Sequence, residues 1–391
     1  MDRRKFLTTG TAAAGAAALA GCQPNAETAA APAAPTAAEK PVRFYTGEQR
    51  PTTDEWLSLL KRHGVNHVCA SMERPPYPER GFYTAEELVQ LREKCESFGI
   101  TADMLTAPFL PSSHIDREER GDVMLGKEPG RQRDIDDFNK TIENCKAAGI
   151  PSIKYNMSLL GVVRTERTPG RGGSSYSTWK LSEAKPEPAL TKAGNVDADT
   201  AWERIRHFVE NVVPVADANQ IKIACHPHDP GMPPEGYQGV VRVLGTPEGL
   251  YRFAELSDSP YHGFNLCLGT TSEMLQDPAR EIHDVIRRLG GMKKIFNIHF
   301  RNIVGKRDNF IEVYPDEGDM VMPEVLRTLY EVDYDGMLMP DHMPSHPDDP
   351  GAMQGFSYAL GYIQGLIQSL KFEIGQDVRT DGVTPIPPPT F

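Results

Sequence analysis

Two hydrophobic patterns alternate along the chain after residue 40. Short β-branched or apolar runs predict buried strands, and longer stretches with apolar residues every three or four positions predict amphipathic helices. The predicted strands are 42–45, 65–70, 101–105, 152–155, 221–225, 263–267, 294–300 and 336–339. The predicted helices are 53–63, 84–98, 134–148, 198–217, 247–257, 278–290, 321–332 and 354–371.

Eight strand-then-helix units in succession are typical of the (β/α)8 TIM barrel, an α/β fold. An open doubly wound sheet is the alternative. Thr84 and Glu87 have the spacing of a capping box at a helix start. We therefore predict one TIM-barrel domain over residues 41–375, followed by a Pro-rich tail at 376–391.

Two predicted connections are too long to be ordinary turns. Residues 106–133 and 156–197 both follow the carboxyl ends of strands, the face on which barrel active sites lie. The second contains RTERTPGRGGSSYS, which favours a lid over an anionic ligand. A disordered insertion is the alternative for this segment.

The N-terminal region is typical of an export signal. An Arg-Arg-Lys motif at residues 3–5 precedes an Ala-rich apolar run that ends in Leu-Ala-Gly-Cys. This pattern predicts a twin-arginine signal at 1–21, lipidation of Cys22, and a periplasmic lipoprotein anchored to the membrane through an Ala/Pro-rich tether at 22–40. An uncleaved membrane anchor is the alternative, although the run is about half of the ~20 residues that span a bilayer.

Composition narrows the function classes. The 391 residues include 42 Lys+Arg and 54 Asp+Glu, giving a net charge of -12, and no basic cluster is present, which argues against a nucleic-acid partner. Six cysteines, without any C-x-x-C spacing, exclude a zinc ribbon. If Cys22 carries lipid, the other five cannot all pair, so at least one thiol is free or bound to metal.

Potential metal ligands stand at the ends of the last four predicted strands. They are His226, Cys267, His299 and Asp341. The carboxyl ends of neighbouring barrel strands converge on one mouth, and a thiolate, two imidazoles and a carboxylate there suit a divalent transition metal. Taken singly, each has another interpretation: an inert buried thiol, a core histidine or a turn cap. Cys225 is the competing thiol, but strand alternation points it away from His226.

At these residues the sequence resembles the mannonate dehydratase family, TIM-barrel enzymes that use manganese to convert D-mannonate to 2-keto-3-deoxygluconate. The similar segments are ACHPHDP at 224–230, LCLGT at 266–270, IHF at 298–300, GDM at 318–320, PDH at 340–342 and GYIQGL at 361–366. Upstream, Tyr155-Asn156-Met157 and Arg164-Thr165 resemble the family's YNFMP and RTD segments. The resemblance implies the same four metal ligands, with Mn2+ as the cofactor or Fe2+, Co2+ or Zn2+ in its place.

The resemblance implies a hydro-lyase acting on a small sugar acid. Such a reaction needs a base for the proton α to the carboxylate and an acid for the departing hydroxyl. Candidates at strand ends are Tyr155, His228, Asp229 and Arg301, of which His228 can titrate near neutral pH.

Substrate binding is assigned to Asn156 and Arg164. Arg164 and Arg301 could each bind a substrate carboxylate bidentately, and a structural ion pair is the alternative for both arginines.

Two other functions stay open. One is a metal-dependent sugar isomerase or epimerase on a xylose-isomerase-like barrel, against which Cys267 argues because that class usually binds metal through carboxylates and histidine. The other is a non-catalytic periplasmic lipoprotein that binds carbohydrate. The sequence also leaves open whether the protein is a homo-oligomer.

Overall fold

The computed structural model describes residues 40–74, 76 and 80–378. The predicted signal segment, Cys22 and nearly all of the predicted tether lie outside the described residues, as do positions 379–391 of the tail. The strands are β1 Tyr45–Thr46, β2 Glu48–Pro51, β3 His67–Ser71, β4 Thr101–Thr106, β5 Ser152–Asn156, β6 Thr168–Pro169, β7 Ser175–Tyr176, β8 Thr178–Lys180, β9 Lys222–His226, β10 His262–Cys267, β11 Ile295–His299, β12 Asn302–Lys306, β13 Asn309–Val313 and β14 Met337–Met339.

The helices alternate with the barrel strands along the chain. They are α1 Asp54–Arg62, α2 Ala85–Ser97, α3 Asp122–Leu125, α4 Gly130–Ala148, α5 Ala198–Asn219, α6 Pro247–Ala254, α7 Leu268–Ser272, α8 Pro278–Gly291, α9 Met322–Glu331 and α10 Met353–Glu373. The predicted capping box is present, since the Thr84 hydroxyl accepts from the Glu87 N–H and the Glu87 carboxylate accepts from the Thr84 N–H. No helix among the described residues is long and apolar enough to cross a membrane.

The barrel is a parallel sheet in the order β1-β14-β11-β10-β9-β5-β4-β3-β2. Its two edges are β1 and β2, which are halves of one strand separated by Gly47, so the sheet closes on itself as the predicted TIM barrel. At this seam Gly47 N–H donates to the Leu338 carbonyl at 2.9 Å. A Cβ at Gly47 would lie 2.6 Å from Met337 Sδ, so the seam has no room for a side chain there.

The first predicted strand was misplaced. Residues 42–45 were expected to form this strand, but it occupies 45–51. Its second half contains Glu48, Gln49 and Arg50, and these polar residues hide the apolar pattern from which strands are predicted. The other barrel strands lie within about two residues of their predicted bounds.

The second long connection contains regular structure instead of a disordered insertion. It includes β6, β7 and β8, and β8 pairs with β13 in an antiparallel sheet ordered β12-β13-β8. These strands were not predicted because they are short and largely polar. The sheet attaches residues 156–197 to the end of the barrel at which the strands have their carboxyl ends.

Candidate metal centre

The barrel mouth brings together the four predicted metal ligands. The ligand atoms of His226, Cys267, His299 and Asp341 all lie within 4.8 Å of one another. His299 Nδ1 is 3.1 Å from Asp341 Oδ2, and the two imidazole centroids are 5.1 Å apart. Each residue is at most 9% exposed. The donor set and its spacing suit a divalent transition metal.

Local backbone structure holds two of these ligands. Cys267 ends β10 and caps α7, where its Sγ accepts from the Thr270 N–H at 3.3 Å. Asp341 follows β14 with a positive φ of 66°, which turns the chain at the mouth. His226 ends β9 and donates from Nδ1 to the Pro227 carbonyl at 2.6 Å, which leaves Nε2 free for a metal.

The charges at the mouth favour the ligand forms that a metal requires. Burial raises the pKa of the Cys267 thiol, but the Arg301 charge and a His299 hydrogen bond oppose it, so the pKa lies below its usual value. Burial also raises the pKa of Asp341, and the charges of His299 and His342 reverse this, leaving it well below its usual value. His299 Nδ1 is buried and faces Asp341 Oδ2 at 3.1 Å. These features fit a bound cation.

The other four cysteines in the described part of the chain are also buried and free. Cys225, the competing thiol, donates weakly to the His226 carbonyl at 3.6 Å. Burial raises the pKa of Cys225, whereas the net shift at Cys267 is downward. The structure thus separates a thiol suited to metal binding from one packed as an apolar side chain.

A buried ion cluster lies beside the metal centre. Its members come from five separate segments of the chain and are Arg164, Asp229, Glu273, Arg301 and Glu312. Asp229 forms ion pairs with both arginines: its Oδ1 lies 2.6 Å from Arg164 Nη1, and its Oδ2 accepts from Arg301 Nη2 at 2.9 Å. Arg301 Nη1 also lies 2.7 Å from Glu312 Oε2. The three carboxylates are close enough to share a cation, but each of them is already paired with the two guanidinium groups.

Neighbouring charges separate the pKa values of the three buried carboxyl groups in this cluster. Burial and then the Asp229 charge raise the pKa of Glu273 well above its usual value. Burial also raises the pKa of Asp229, but Arg164 and Arg301 outweigh it, and the pKa falls below its usual value. The Glu312 pKa is likewise depressed by the same arginines against the effect of burial. Glu273 is therefore the weakest acid of the three carboxyl groups.

The ion cluster contains both arginines that were predicted to bind substrate. Arg164 and Arg301 were expected to bind a substrate carboxylate, with a structural ion pair as the alternative. The structure places both in ion pairs, and Arg301 also donates to Cys267 Sγ at 3.3 Å. Arg301 thus links the ion cluster to a metal ligand, while Arg164 ties the second long connection to the barrel.

Tyr155 lies on the wrong side of its strand for the predicted proton transfer. Its ring packs on Phe138 and Phe208, with centroid distances of 5.5 and 5.3 Å, and its hydroxyl lies beside the Cys225 thiol. In the register of β5 and β9, Tyr155 pairs with Cys225 and Asn156 pairs with His226. Asn156 therefore faces the barrel interior, and Tyr155 faces the helix layer. The strand alternation that points Cys225 away from the metal site also points Tyr155 away from it.

His228 does not titrate near neutral pH as predicted. Its Nε2 donates to the Met157 carbonyl at 2.9 Å, and its Nδ1 accepts from the Leu244 N–H at 3.3 Å. Burial and then the charge of Arg242 lower its pKa to about 3. With both nitrogens bonded to backbone, His228 holds the loop after β9 in place.

Sequence reasoning missed two groups at the mouth. His342 follows Asp341, has a 45% exposed side chain, and places Nδ1 3.1 Å from Glu312 Oε2. Lys154 points into the barrel and donates to Gln49 Oε1 at 2.7 Å. Lys154 stands two residues before Asn156 in β5 and therefore lies on the same face of the strand, which was the available signal for Lys154. The PDH motif was the signal for His342.

Comparison with curated proteins identifies relatives over most of the chain. A mannonate dehydratase from Streptococcus agalactiae serotype Ia is 29% identical over 331 residues, covering 78% of this chain and 89% of the relative. A mannonate dehydratase from Thermotoga maritima is 27% identical over 337 residues, covering 77% and 88%.

Solved structures share the fold. A mannonate dehydratase from Streptococcus suis serotype 2 superposes with a TM-score of 0.73 at 22% identity, covering 86% of this chain and 97% of that chain. A xylose isomerase domain protein from Planctomyces limnophilus has a TM-score of 0.52 at 15% identity, covering 85% and 98%. The family model described as D-mannonate dehydratase (UxuA) matches residues 179–376, half of the chain. This match spans the segments that carry all four metal-ligand candidates, and the chain belongs to the mannonate dehydratase family.

Proposed function

We propose that this protein is a metal-dependent hydro-lyase that dehydrates a sugar acid, converting D-mannonate or a related aldonate to the 2-keto-3-deoxy acid. The observation that carries the proposal is the cluster of His226, Cys267, His299 and Asp341 at the mouth of a barrel from this family. These residues would hold Mn2+ or another divalent transition metal. When bound, such an ion supplies Lewis-acid stabilisation of the negative charge that develops on the substrate.

The chain's own groups prepare the site for this chemistry. Arg301 stabilises the Cys267 thiolate by its charge and by a 3.3 Å contact. Asn156 lies on the interior face of β5 at the level of His226, where it can bind substrate hydroxyls. The low exposure of the ligands keeps most water away from the reacting atoms.

His342 is the group that we assign to proton transfer. Its ring is partly exposed at the mouth, its Nδ1 contacts Glu312, and its Nε2 lies 3.8 Å from Asp341 Oδ2. A carboxylate at Nδ1 orients the ring and leaves Nε2 to exchange a proton with a substrate. Replacing His342 with Gln should lower kcat at least a hundredfold without loss of bound metal. Unchanged turnover would remove His342 from the mechanism.

Two thiols provide a matched test of the metal centre. The Cys267→Ser variant should lose bound metal, while Cys225→Ser should retain it, as measured by elemental analysis of the purified proteins. The reverse result would mean that the ligand set is wrong. Metal-loaded wild-type protein is then incubated with a panel of hexonates and aldoses, and the appearance of a 2-keto-3-deoxy acid identifies dehydration. An isomerised or epimerised sugar would show instead the alternative activity, and binding without turnover would indicate a carbohydrate-binding protein.

We also propose export by the twin-arginine route and lipidation at Cys22, which would place the enzyme in the periplasm on a lipid anchor. The Arg-Arg-Lys motif and the Leu-Ala-Gly-Cys sequence support this. In cells, Cys22→Ala should abolish incorporation of labelled fatty acid, and replacing Arg3 and Arg4 with Lys should retain the protein inside. Fatty-acid labelling of the Cys22→Ala protein would contradict the assignment.

A further inference from the structure

Lys154 places an ammonium group inside the barrel. It lies on β5 two residues before Asn156, on the same face of the strand, and it is 7% exposed, the same fraction as the metal-ligand candidate His226. Its Nζ donates to Oε1 of Gln49 in β2 at 2.7 Å. Because β4 and β3 separate β5 from β2 in the barrel sheet, this bond crosses the barrel interior.

The protein uses only part of the hydrogen-bonding capacity of this ammonium group. An ammonium has three N–H donors, and in the described part of the chain Gln49 is its one acceptor. No carboxylate of the described residues lies within ion-pair distance of Nζ, and this includes Glu48, the neighbour of Gln49 in β2. Buried lysines are almost always paired, because a charge in an apolar interior is costly unless it is compensated. Two donors of a charged group are therefore available to a ligand.

The interior side chains near Lys154 are apolar or only weakly polar. Lys154 pairs with Ala224 in the register of β5 and β9, and its charge opposes the burial that raises the pKa of the Cys69 thiol to about 11. Both residues belong to one buried cluster, which comprises Cys69, Met104, Ala224, Phe296, Met337 and Met339. Thiols and thioethers are weak acceptors, so a strong acceptor for the two remaining donors has to enter from the mouth.

The charge of Lys154 acts on the metal centre. Burial and then the Lys154 charge lower the pKa of His226 to about 4, and Asn156 pairs with His226 in the register of β5 and β9. The four metal-ligand candidates lie at the ends of β9, β10 and β11 and after β14, whereas Gln49 of β2 holds the ammonium. The ammonium and the four ligands therefore border one interior space from different strands.

A sugar acid brings a carboxylate to this mouth, and the two arginines predicted to receive it are already paired. Arg164 and Arg301 each form ion pairs with the buried carboxylates of the ion cluster. Lys154 is instead held by the neutral amide of Gln49, so its charge is available to a substrate anion.

We propose that Lys154 binds the carboxylate group of the sugar acid, with Gln49 holding the ammonium in position. This inference rests on the proposed dehydratase function and names the side chain that selects an acid over a neutral sugar. When the α-proton leaves, negative charge spreads onto the carboxylate oxygens, and the hydrogen bond from the ammonium strengthens as that charge grows. Lys154 therefore contributes to substrate binding and to stabilisation of the transition state.

The test measures binding of an acid that cannot react. A 3-deoxyhexonate lacks the hydroxyl that leaves, and its carboxamide has nearly the same shape without the charge. In calorimetric titrations of the metal-loaded full chain, the acid should bind at least tenfold more tightly than the amide. Lys154→Met should weaken binding of the acid at least tenfold and of the amide less than threefold, because a hydrogen bond between two charged groups is stronger than one to a neutral group. Unchanged affinity for the acid, or equal losses for acid and amide, would overturn the inference.

A second variant tests the charge without removing the lysine. Gln49→Glu places a carboxylate beside the ammonium, which should compete with the substrate and weaken binding of the acid at least tenfold, while binding of the amide changes less than threefold. Lys222→Met is the matched control, because Lys222 is an exposed lysine at the opposite end of β9 from His226, and it should change neither affinity. Elemental analysis and thermal unfolding check metal content and fold. If Lys154→Met loses either, Gln49→Glu decides, and unchanged binding of the acid in that variant would overturn the inference.

Turnover of D-mannonate separates this inference from the proposed function. Dehydration by the wild-type protein, together with acid binding that survives Lys154→Met, would retain the proposed function and overturn the inference. Binding of the acid that depends on Lys154, without dehydration of any hexonate, would support the inference and overturn the proposed function.

Discussion

Tyr155 allows a clear test of whether a predicted catalytic residue is a packing residue. A general acid or base typically contributes a factor of about 10²–10⁴ to the rate. Because the Tyr155 hydroxyl lies in the helix layer beside the weakly hydrogen-bonding Cys225 thiol, its removal should affect neither substrate nor metal. We expect Tyr155→Phe to keep kcat within twofold of wild type and to change the free energy of unfolding by less than about 1 kcal/mol.

Removing the whole ring should have a different effect. Tyr155 is about 1% exposed and contacts Phe138 and Phe208, so Tyr155→Ala leaves a cavity in an aromatic cluster. Such truncations cost about 3–5 kcal/mol. With an unfolding entropy of roughly 2.1 cal/mol/K per residue over about 340 residues, this corresponds to a fall in Tm of about 4–7 °C.

The assay combines steady-state kinetics with thermal unfolding of the metal-loaded protein. Asn156→Ala is the matched control, because Asn156 is the next residue and faces the barrel interior. It should raise KM severalfold. A Tyr155→Phe protein with unchanged Tm but a hundredfold lower kcat would refute the packing interpretation.

Three further predictions concern stability. Burial lowers the pKa of His262 to about 4, so this residue stays neutral in the folded protein while the unfolded chain takes up a proton below about pH 6.5. Its contribution to the free energy of unfolding should fall by roughly 2–3 kcal/mol between pH 7 and pH 4.5, and urea titrations should show a smaller fall in His262→Gln. Arg301→Met should lower the free energy of unfolding by about 3–5 kcal/mol, because it leaves buried carboxylates with one guanidinium. Adding Glu312→Gln should recover part of that loss, and strictly additive effects in the double-mutant cycle would contradict the cluster. Thr84→Ala should cost about 1 kcal/mol through loss of the α2 cap, whereas Thr84→Ser, measured in the same denaturant titration, should cost little.

The sequence predicted those parts of the structure that a single local pattern determines. Barrel strands are buried on both faces and therefore stand out as apolar runs, which is why their carboxyl ends, and with them His226, Cys267 and His299, could be located. The strand at the seam was harder to predict, because polar side chains of β2 face the mouth and the last helix. The short strands β6 to β8 carry no hydrophobic period.

The ion cluster could not be derived from the sequence. Arg164, Glu273 and Glu312 come from a long connection, the end of a short helix and an added sheet, and no local pattern shows that these segments meet. The arginines pair with protein carboxylates because they are buried beside them. His228 is neutral because it is buried. Tyr155 is different, since its orientation followed from strand alternation and needed no structure.

Closure of the barrel at its seam is coupled to retention of a bound ion. Three ligands are the last residues of neighbouring strands in the middle of the sheet. Asp341 instead follows β14, the strand that β1 must join, and Arg50 of β2 donates to the Asp341 carbonyl at 2.9 Å. Local opening at Gly47 would therefore displace the fourth ligand. A bound ion should in turn suppress that opening, and the slowing of amide hydrogen exchange at the seam would report how firmly the site is occupied.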